Sequence, residues 1–190
     1  MRSKNLVMTL TLVTVGFALL ALAPRGLIHP ARVAFAQSDA GESRCVSVGG
    51  AVMTNLGTIG SSTMLGTATG DLKGAVSGTI LKFSSGPGGT TIFTLQPHWV
   101  TEAGDSIEFY PAEATATKVV EGVKGGRTPT VFAVLTFPLK LRAGTGHFAG
   151  VTGTLENIGE IEMPGFPDIT YGRTVLRYSG QVCFATPGNH

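Results

Sequence analysis

Two residues of this chain carry side chains that could transfer protons inside an apolar interior. Glu113 and Tyr178 both fall on the apolar parity of segments in which apolar and polar residues alternate. A carboxyl group beside a phenol in such an interior could do general acid–base work, because burial raises the pKa of the carboxyl group. Pro111 precedes Glu113 by two residues, however, and a bulge there would turn Glu113 outward. For Tyr178 the alternative is a place at the rim of the interior, with its hydroxyl group in water.

Motifs for other kinds of chemistry are missing from the sequence. It contains no Gly-x-Ser-x-Gly nucleophile motif and no Gly-x-x-x-x-Gly-Lys phosphate loop. Beyond residue 36 the histidines are His98, His147 and His190, and none lies at metal-ligand spacing from another. We therefore expect neither a metal site nor an organic cofactor.

The elements that would position these side chains are strands. Threonine and valine are frequent, glycine is dense, and turn signals recur roughly every 10 to 15 residues, which favours an all-β sandwich or barrel. Short connections imply neighbouring antiparallel strands, so we expect an eight-stranded up-and-down barrel, with a two-sheet sandwich as the alternative. The predicted strands are Arg44–Thr54, Thr63–Asp71, Ala75–Phe83, Thr90–Thr101, Ser106–Val119, Thr130–Arg142, His147–Ile161 and Ile169–Phe184.

Alternation along these strands selects the side chains that would face the interior. The set expected to line a ligand cavity is Phe93, Leu95, Trp99, Phe109, Leu135, Phe137, Leu176 and Tyr178. The same parity includes Ile107, Val131, Ala133, Leu139, Val182 and Phe184. A barrel of eight strands is wide enough either to be filled by its own side chains or to hold one small ligand, so both outcomes stay open here. Trp99 would be either a lid at the barrel mouth or a core residue beneath a loop.

Residues 1–36 have the features of an export signal. An uncharged, mostly apolar run from Leu6 to Ala23 follows a positive start, and Ala34-Phe35-Ala36 is a small-x-small cleavage site. We expect one domain over residues 37–190 and a secreted or extracytoplasmic protein, with an uncleaved membrane anchor as the alternative. The leader holds four of the 14 Lys and Arg residues and none of the 12 acids, so the rest of the chain has a net charge of −2. No basic patch remains, and nucleic acid is therefore not an expected partner.

The two cysteines lie in the first and last predicted strands, at Cys45 and Cys183. Barrel closure places those strands side by side, and an exported chain meets an oxidising environment, so we expect a disulfide between them. On the chain-entropy model, a bridge that closes so long a loop stabilises the fold by roughly 5 kcal/mol. Two buried free thiols are the alternative.

A glycine-rich corner interrupts the strand pattern between Ala143 and Leu155. Its glycines are Gly144, Gly146, Gly150 and Gly153, and a looser echo runs from Gly70 to Ile80. Glycine within a strand pattern marks a bulge, a bend or a close approach of another backbone. We predict two similar strand corners, with Gly146 or Gly150 either at positive φ or against a neighbouring backbone.

The segment Gly144-Thr-Gly-His-Phe-Ala-Gly-Val-Thr-Gly153 resembles the Gly-Thr-Gly-x-Phe-x-Gly corner of allene oxide cyclase-like and dirigent-like β-barrels. The resemblance implies an eight-stranded calycin-like barrel, which is often trimeric in that family. It also implies the family's activity, in which small apolar substrates are cyclised or oriented without metal or organic cofactor. It transfers no catalytic residue, because no local motif matches the family's acidic and basic residues. We expect an exported barrel that binds a small apolar molecule. The alternatives are a cofactor-free cyclase or isomerase using the same cavity, and a structural or envelope interaction module with a filled core.

Overall fold

The computed structural model describes residues 44–57, 60, 62–123 and 128–184. The predicted leader and His190 lie outside the described residues. Within these ranges the strands are β1 (Arg44–Leu56), β2 (Thr63–Ala68), β3 (Gly74–Ser85), β4 (Thr91–Thr101), β5 (Ser106–Phe109), β6 (Ala112–Val120), β7 (Thr130–Thr136), β8 (Pro138–Gly144), β9 (Thr152–Met163) and β10 (Gly172–Phe184).

All strands pair antiparallel in one closed sheet. Each of β1 to β4 pairs with the next, and β4 pairs with both β5 and β6. Because β9 pairs with both β7 and β8, these two segments together form one barrel strand. On their other side, β6 pairs with β7 and β5 pairs with β8, so β5 and β6 together form the neighbouring barrel strand. Finally β10 pairs with β9 and with β1, which closes the ring. The predicted eight-stranded antiparallel up-and-down barrel is therefore confirmed.

The predicted disulfide joins the first and last strands. Cys45 and Cys183 are register partners on β1 and β10, and their sulfur atoms are bonded. The bridge spans 138 residues of sequence, so it constrains the unfolded chain strongly. It fastens the two strands whose pairing closes the barrel.

The interruption between β5 and β6 corrects one expected side-chain direction. Pro111 cannot donate a ladder hydrogen bond, and the strand is broken there. Before the break the buried residues are Ile107 and Phe109, and after it they are Ala112 and Ala114, so one extra residue reverses the alternation. Glu113 is consequently exposed on the outer wall, which agrees with the outward direction that a bulge at Pro111 would give and not with a place in the interior.

A second extra residue reverses the alternation between β7 and β8. Thr136 pairs with Thr115 while Val134 pairs with Ala116, so Leu135 bulges out of the ladder. Leu135 is 49% exposed, and its predicted inward direction is wrong. Val131 and Ala133 also lie on the outer parity of β7, where the buried residues are instead Thr130, Phe132 and Val134.

Two strand starts also differ from the prediction. The glycine corner forms a 3-10 turn at Gly146–Phe148, so β9 begins at Thr152 instead of His147. The last strand begins at Gly172 instead of Ile169, after a connection that contains a cis peptide bond before Pro167. Gly146 and Gly150 have φ angles of 53° and 70°, which confirms the predicted left-handed backbone of the corner.

Candidate functional site

The barrel interior contains an apolar cavity with a volume of about 60 Å³. Its wall is almost entirely carbon, and aliphatic and aromatic side chains from most of the barrel strands contribute to it. Two small inward residues border this space. Ala114 on β6 contributes only a methyl group, and Gly78 on β3 has no side chain. The other inward residues of β6 are also alanines, Ala112 and Ala116, whereas most inward positions of the other strands carry larger groups that fill the interior.

The size of the cavity decides what the resting barrel can hold. Small-molecule sites typically have volumes of ~300 Å³ or more, whereas one water occupies ~30 Å³ of liquid. A cavity of about 60 Å³ is therefore too small for a ligand of ordinary size. An occupant of that size therefore requires side chains to move.

Hydrogen bonds to a connecting loop close the first end of the barrel, where residues 69–73 link β2 to β3. The Tyr178 hydroxyl group accepts from the Leu72 N–H at 2.9 Å and donates to the Thr69 carbonyl at 2.9 Å. The Trp99 Nε1–H donates to the Leu72 carbonyl at 2.7 Å. The Trp99 and Tyr178 rings meet edge to face, with centroids 5.3 Å apart. Trp99 therefore packs beneath a loop and is not a mobile lid.

A glycine on β1 makes room for this arrangement. Gly50 is the register partner of Tyr178. A Cβ atom there would lie 2.7 Å from the Tyr178 hydroxyl oxygen and 2.0 Å from the Thr69 carbonyl oxygen. Because both contacts are shorter than van der Waals distance, only glycine lets the phenol reach the loop backbone.

The glycine corner (144–153) closes the same end of the barrel. Asp105 accepts a hydrogen bond from the His147 N–H at 3.2 Å, and the Thr145 hydroxyl accepts from the Ser106 N–H at 2.8 Å. Phe148 is buried beneath these contacts. The first end is thus fastened by hydrogen bonds from two separate loops.

Aromatic side chains close the second end instead. Phe83, Phe93, Phe132 and Phe166 form a cluster that we call the aromatic plug, with ring centroids 5.0 to 6.3 Å apart. Phe93 lines the cavity, whereas Phe166 is half-buried and comes from the β9–β10 connection. The backbone bonds Phe166 N–H to Met163 O, Asp168 N–H to Gly165 O and Thr170 N–H to Asp168 O stay within that segment. Phe166 packs over this end of the interior through its ring contacts with Phe83 and Phe132.

The predicted acid–base pair is not formed. Tyr178 is buried at the first end, and both of its hydroxyl interactions are with loop backbone. Burial raises the pKa of the Tyr178 phenol above its ordinary value of 10.0, and the Leu72 N–H partly offsets this effect. Glu113 lies on the opposite side of the wall, where its carboxylate is 3.5 Å from the Thr94 hydroxyl group. Tyr178 is therefore a structural residue of the loop closure.

The structure brings together five of the residues predicted to line a cavity. These are Phe93, Leu95, Trp99, Phe137 and Leu176. Phe109 and Tyr178 are buried in the core but do not line the cavity, and Leu135 lies outside. The burial of the five agrees with their predicted inward direction, whereas their contact with a ligand stays a prediction.

Three buried polar residues of the cavity wall were not predicted from the sequence. They are Thr54 on β1, Asn157 on β9 and Thr174 on β10, all less than a tenth exposed. The signal was present for Thr174, which shares its parity with Leu176 and Val182. Asn157 donates from Nδ2 to the Phe137 carbonyl at 3.0 Å, which ties it to the wall.

No cluster of three or more His, Cys, Asp or Glu residues suited to a metal ion occurs among residues 44–57, 60, 62–123 and 128–184. In the same part of the chain, no helix is long and apolar enough to cross a membrane.

Comparison with known proteins gives one likeness. No family model and no curated protein matches the chain. Among solved structures, the chain is similar to the structure of a pterocarpan synthase dirigent protein, with 12% sequence identity and a TM-score of 0.35. The match covers 80% of this chain and 92% of that one. That protein belongs to the superfamily that the glycine corner resembles, and the fold described above follows from this chain's own strand pairing.

Proposed function

We propose that this protein is an exported barrel that binds a small apolar molecule in an enlarged form of its interior cavity. The observation that carries the proposal is a gap in an otherwise filled apolar core, next to an end covered by aromatic side chains. Displacement of Phe166 and its neighbours in the aromatic plug would widen the gap. Entry at the first end would break buried hydrogen bonds, which costs more. The export signal in the sequence and the disulfide support an extracytoplasmic location.

A neutral, environment-sensitive dye such as N-phenyl-1-naphthylamine tests this function. We expect saturable, one-to-one binding with increased fluorescence. The variant Ala114→Val adds two methyl groups where the wall borders the gap and should weaken binding at least tenfold. Ala133→Val makes the same change on the outer face of β7 and is the matched control.

The alternative is a structural module with a filled core, and the small cavity volume favours it. That function predicts no saturable dye binding to the wild-type protein. It also predicts that Ala114→Val and Ala133→Val give the same dye fluorescence as each other. Unchanged circular dichroism spectra would show that both variants keep the barrel.

The outer wall offers a surface for association between copies of the chain. Met53 faces Val175 across β1 and β10, Ile158 lies on β9, and Leu135 bulges from the end of β7. These four apolar side chains are 45% to 56% exposed. We propose that this outer patch is buried in a homo-oligomer, a trimer if the family resemblance extends to assembly.

A further inference from the structure

Two threonine hydroxyl groups occupy the apolar wall of the cavity. Thr54 and Thr174 are register partners on the neighbouring strands β1 and β10, and both line the cavity. They are 9% and 6% exposed. Both project inward because they share the parity of the core residues Val52 and Leu176.

The hydrogen bonding of these hydroxyl groups is incomplete. Among the described residues, Thr54 Oγ1 has no hydrogen-bond partner. Thr174 Oγ1 donates a hydrogen bond to Met64 Sδ at 3.8 Å, and a thioether sulfur is a weak acceptor. Burying a hydroxyl group without a partner costs free energy, because its hydrogen bonds to water are lost. Valine has nearly the same shape and would avoid that cost, so packing alone does not favour threonine here.

The wall also limits the charge of an occupant. Among the described residues that line the cavity there is no Asp, Glu, Lys or Arg, and the one histidine, His98, is exposed and lies on the outer parity of β4. A carboxylate or an ammonium group inside would therefore be desolvated without an opposite charge, which is strongly unfavourable. A neutral hydroxyl or carbonyl group could instead bond to Thr54 at little cost.

We infer that the ligand of this barrel is a small neutral molecule with an apolar body and one hydroxyl or carbonyl group, which Thr54 binds with support from Thr174. This inference rests on the proposed function and narrows its ligand class. The apolar body contacts the carbon wall, and the polar group completes the hydrogen bonding of the threonine pair. A hydrocarbon of equal size leaves the hydroxyl groups of that pair without a hydrogen-bond partner. Its affinity therefore comes from apolar contacts alone.

Phenol and toluene, which have equal numbers of heavy atoms, separate the two contributions. Each is titrated against the dye-loaded protein, and its dissociation constant is measured for wild type and for Thr54→Val. Loss of one neutral hydrogen bond should weaken phenol binding roughly three- to tenfold. Toluene binding should stay the same or become tighter. Comparing one ligand between two proteins cancels its different hydration in water.

Two further variants make the test specific. Thr67→Val removes a hydroxyl group from the exposed face of β2 and should change neither dissociation constant. Thr54→Ser keeps the hydroxyl group and should keep the preference for phenol. Without any probe, Thr54→Val should unfold at the same temperature as wild type or higher, because it removes an unpaired buried group.

The outcomes separate the inference from the proposed function. Absence of dye binding to wild type would end both. Dye binding that Ala114→Val blocks, together with equal changes in phenol and toluene binding in Thr54→Val, would overturn the inference alone. A marked fall in the unfolding temperature of probe-free Thr54→Val would also overturn it, since the hydroxyl group would then be satisfied within the resting protein, for example by water.

Discussion

Removing the Tyr178 hydroxyl group tests the account of the first end of the barrel. The variant Tyr178→Phe keeps the ring and its edge-to-face contact with Trp99, but it deletes both hydrogen bonds to the 69–73 loop. The Thr69 carbonyl lies in an exposed residue and can turn to water, whereas the N–H group that loses its partner belongs to Leu72, which is 4% exposed.

The magnitude follows from that buried N–H group. Leaving one buried donor unsatisfied costs about 1–3 kcal/mol. For a domain of this size, each kcal/mol lowers the unfolding temperature by about 2–4 °C, so we expect a decrease of about 2–12 °C. Differential scanning calorimetry measures it, and Tyr110→Phe is the matched control because Tyr110 is exposed. Equal effects of the two substitutions would refute the proposed loop closure.

The same residue predicts a pH dependence of stability. Burial raises the folded-state pKa of Tyr178, so above about pH 10 the unfolded chain loses a proton that the folded barrel retains. The stability contributed by the neutral phenol is complete below that pH and is lost as the pH rises through the folded-state pKa. Wild type should therefore lose stability in alkali more steeply than Tyr178→Phe. Parallel curves for the two proteins would contradict this assignment.

Three further predictions concern the corner, the clasp and the outer wall. Gly146→Val should cost more than about 1 kcal/mol and more than Gly88→Val in urea unfolding, because φ is positive at both glycines but only at Gly146 would a Cβ atom clash, 1.9 Å from Asp105 Oδ1. Replacing Cys45 and Cys183 together by alanine should lower the free energy of unfolding by about 2–5 kcal/mol, and thiol titration of denatured, unreduced wild type should find no free thiol. Ile158→Arg should convert an oligomer into monomers in analytical ultracentrifugation, and a monomeric wild type would rule out the proposed contact between copies.

The strand order could be predicted because each strand carries its own evidence. Alternation marks the buried face of β4 and β10, turn residues mark the connections, and the cysteine positions identify the two strands that meet at closure. Each of these signals is local or depends on only two residues. Their agreement was sufficient to predict a closed barrel.

Side-chain direction was harder to predict, because one inserted residue exchanges the inward and outward directions of all the side chains that follow it in the strand. Pro111 gave a visible warning, and Glu113 does lie outside. Nothing local marks Leu135 as a bulge, since its extra position is defined only by pairing with β6. The predicted inward direction was therefore correct on β4 and β10 and wrong at Leu135, whereas Tyr178 is inward but does not line the cavity.

The polar part of the site could not be found from alternation alone. Thr54 and Thr174 are ordinary strand residues in the sequence, because threonine is generally enriched in strands. The two residues form a polar site only because they are register partners on an apolar wall beside unfilled space. Only the assembled barrel brings these conditions together.

The most direct test of the central claim is an NMR titration of the methionine methyl groups with the neutral dye. Met64 and Met163 line the cavity, whereas Met53 is 53% exposed on the outer wall and serves as an internal reference. If an apolar molecule enters the barrel, the methyl signals of Met64 and Met163 shift and saturate together with the fluorescence, while that of Met53 stays in place. Unshifted signals from Met64 and Met163 during saturable fluorescence, or equal shifts at all three methionines, would contradict binding inside the barrel.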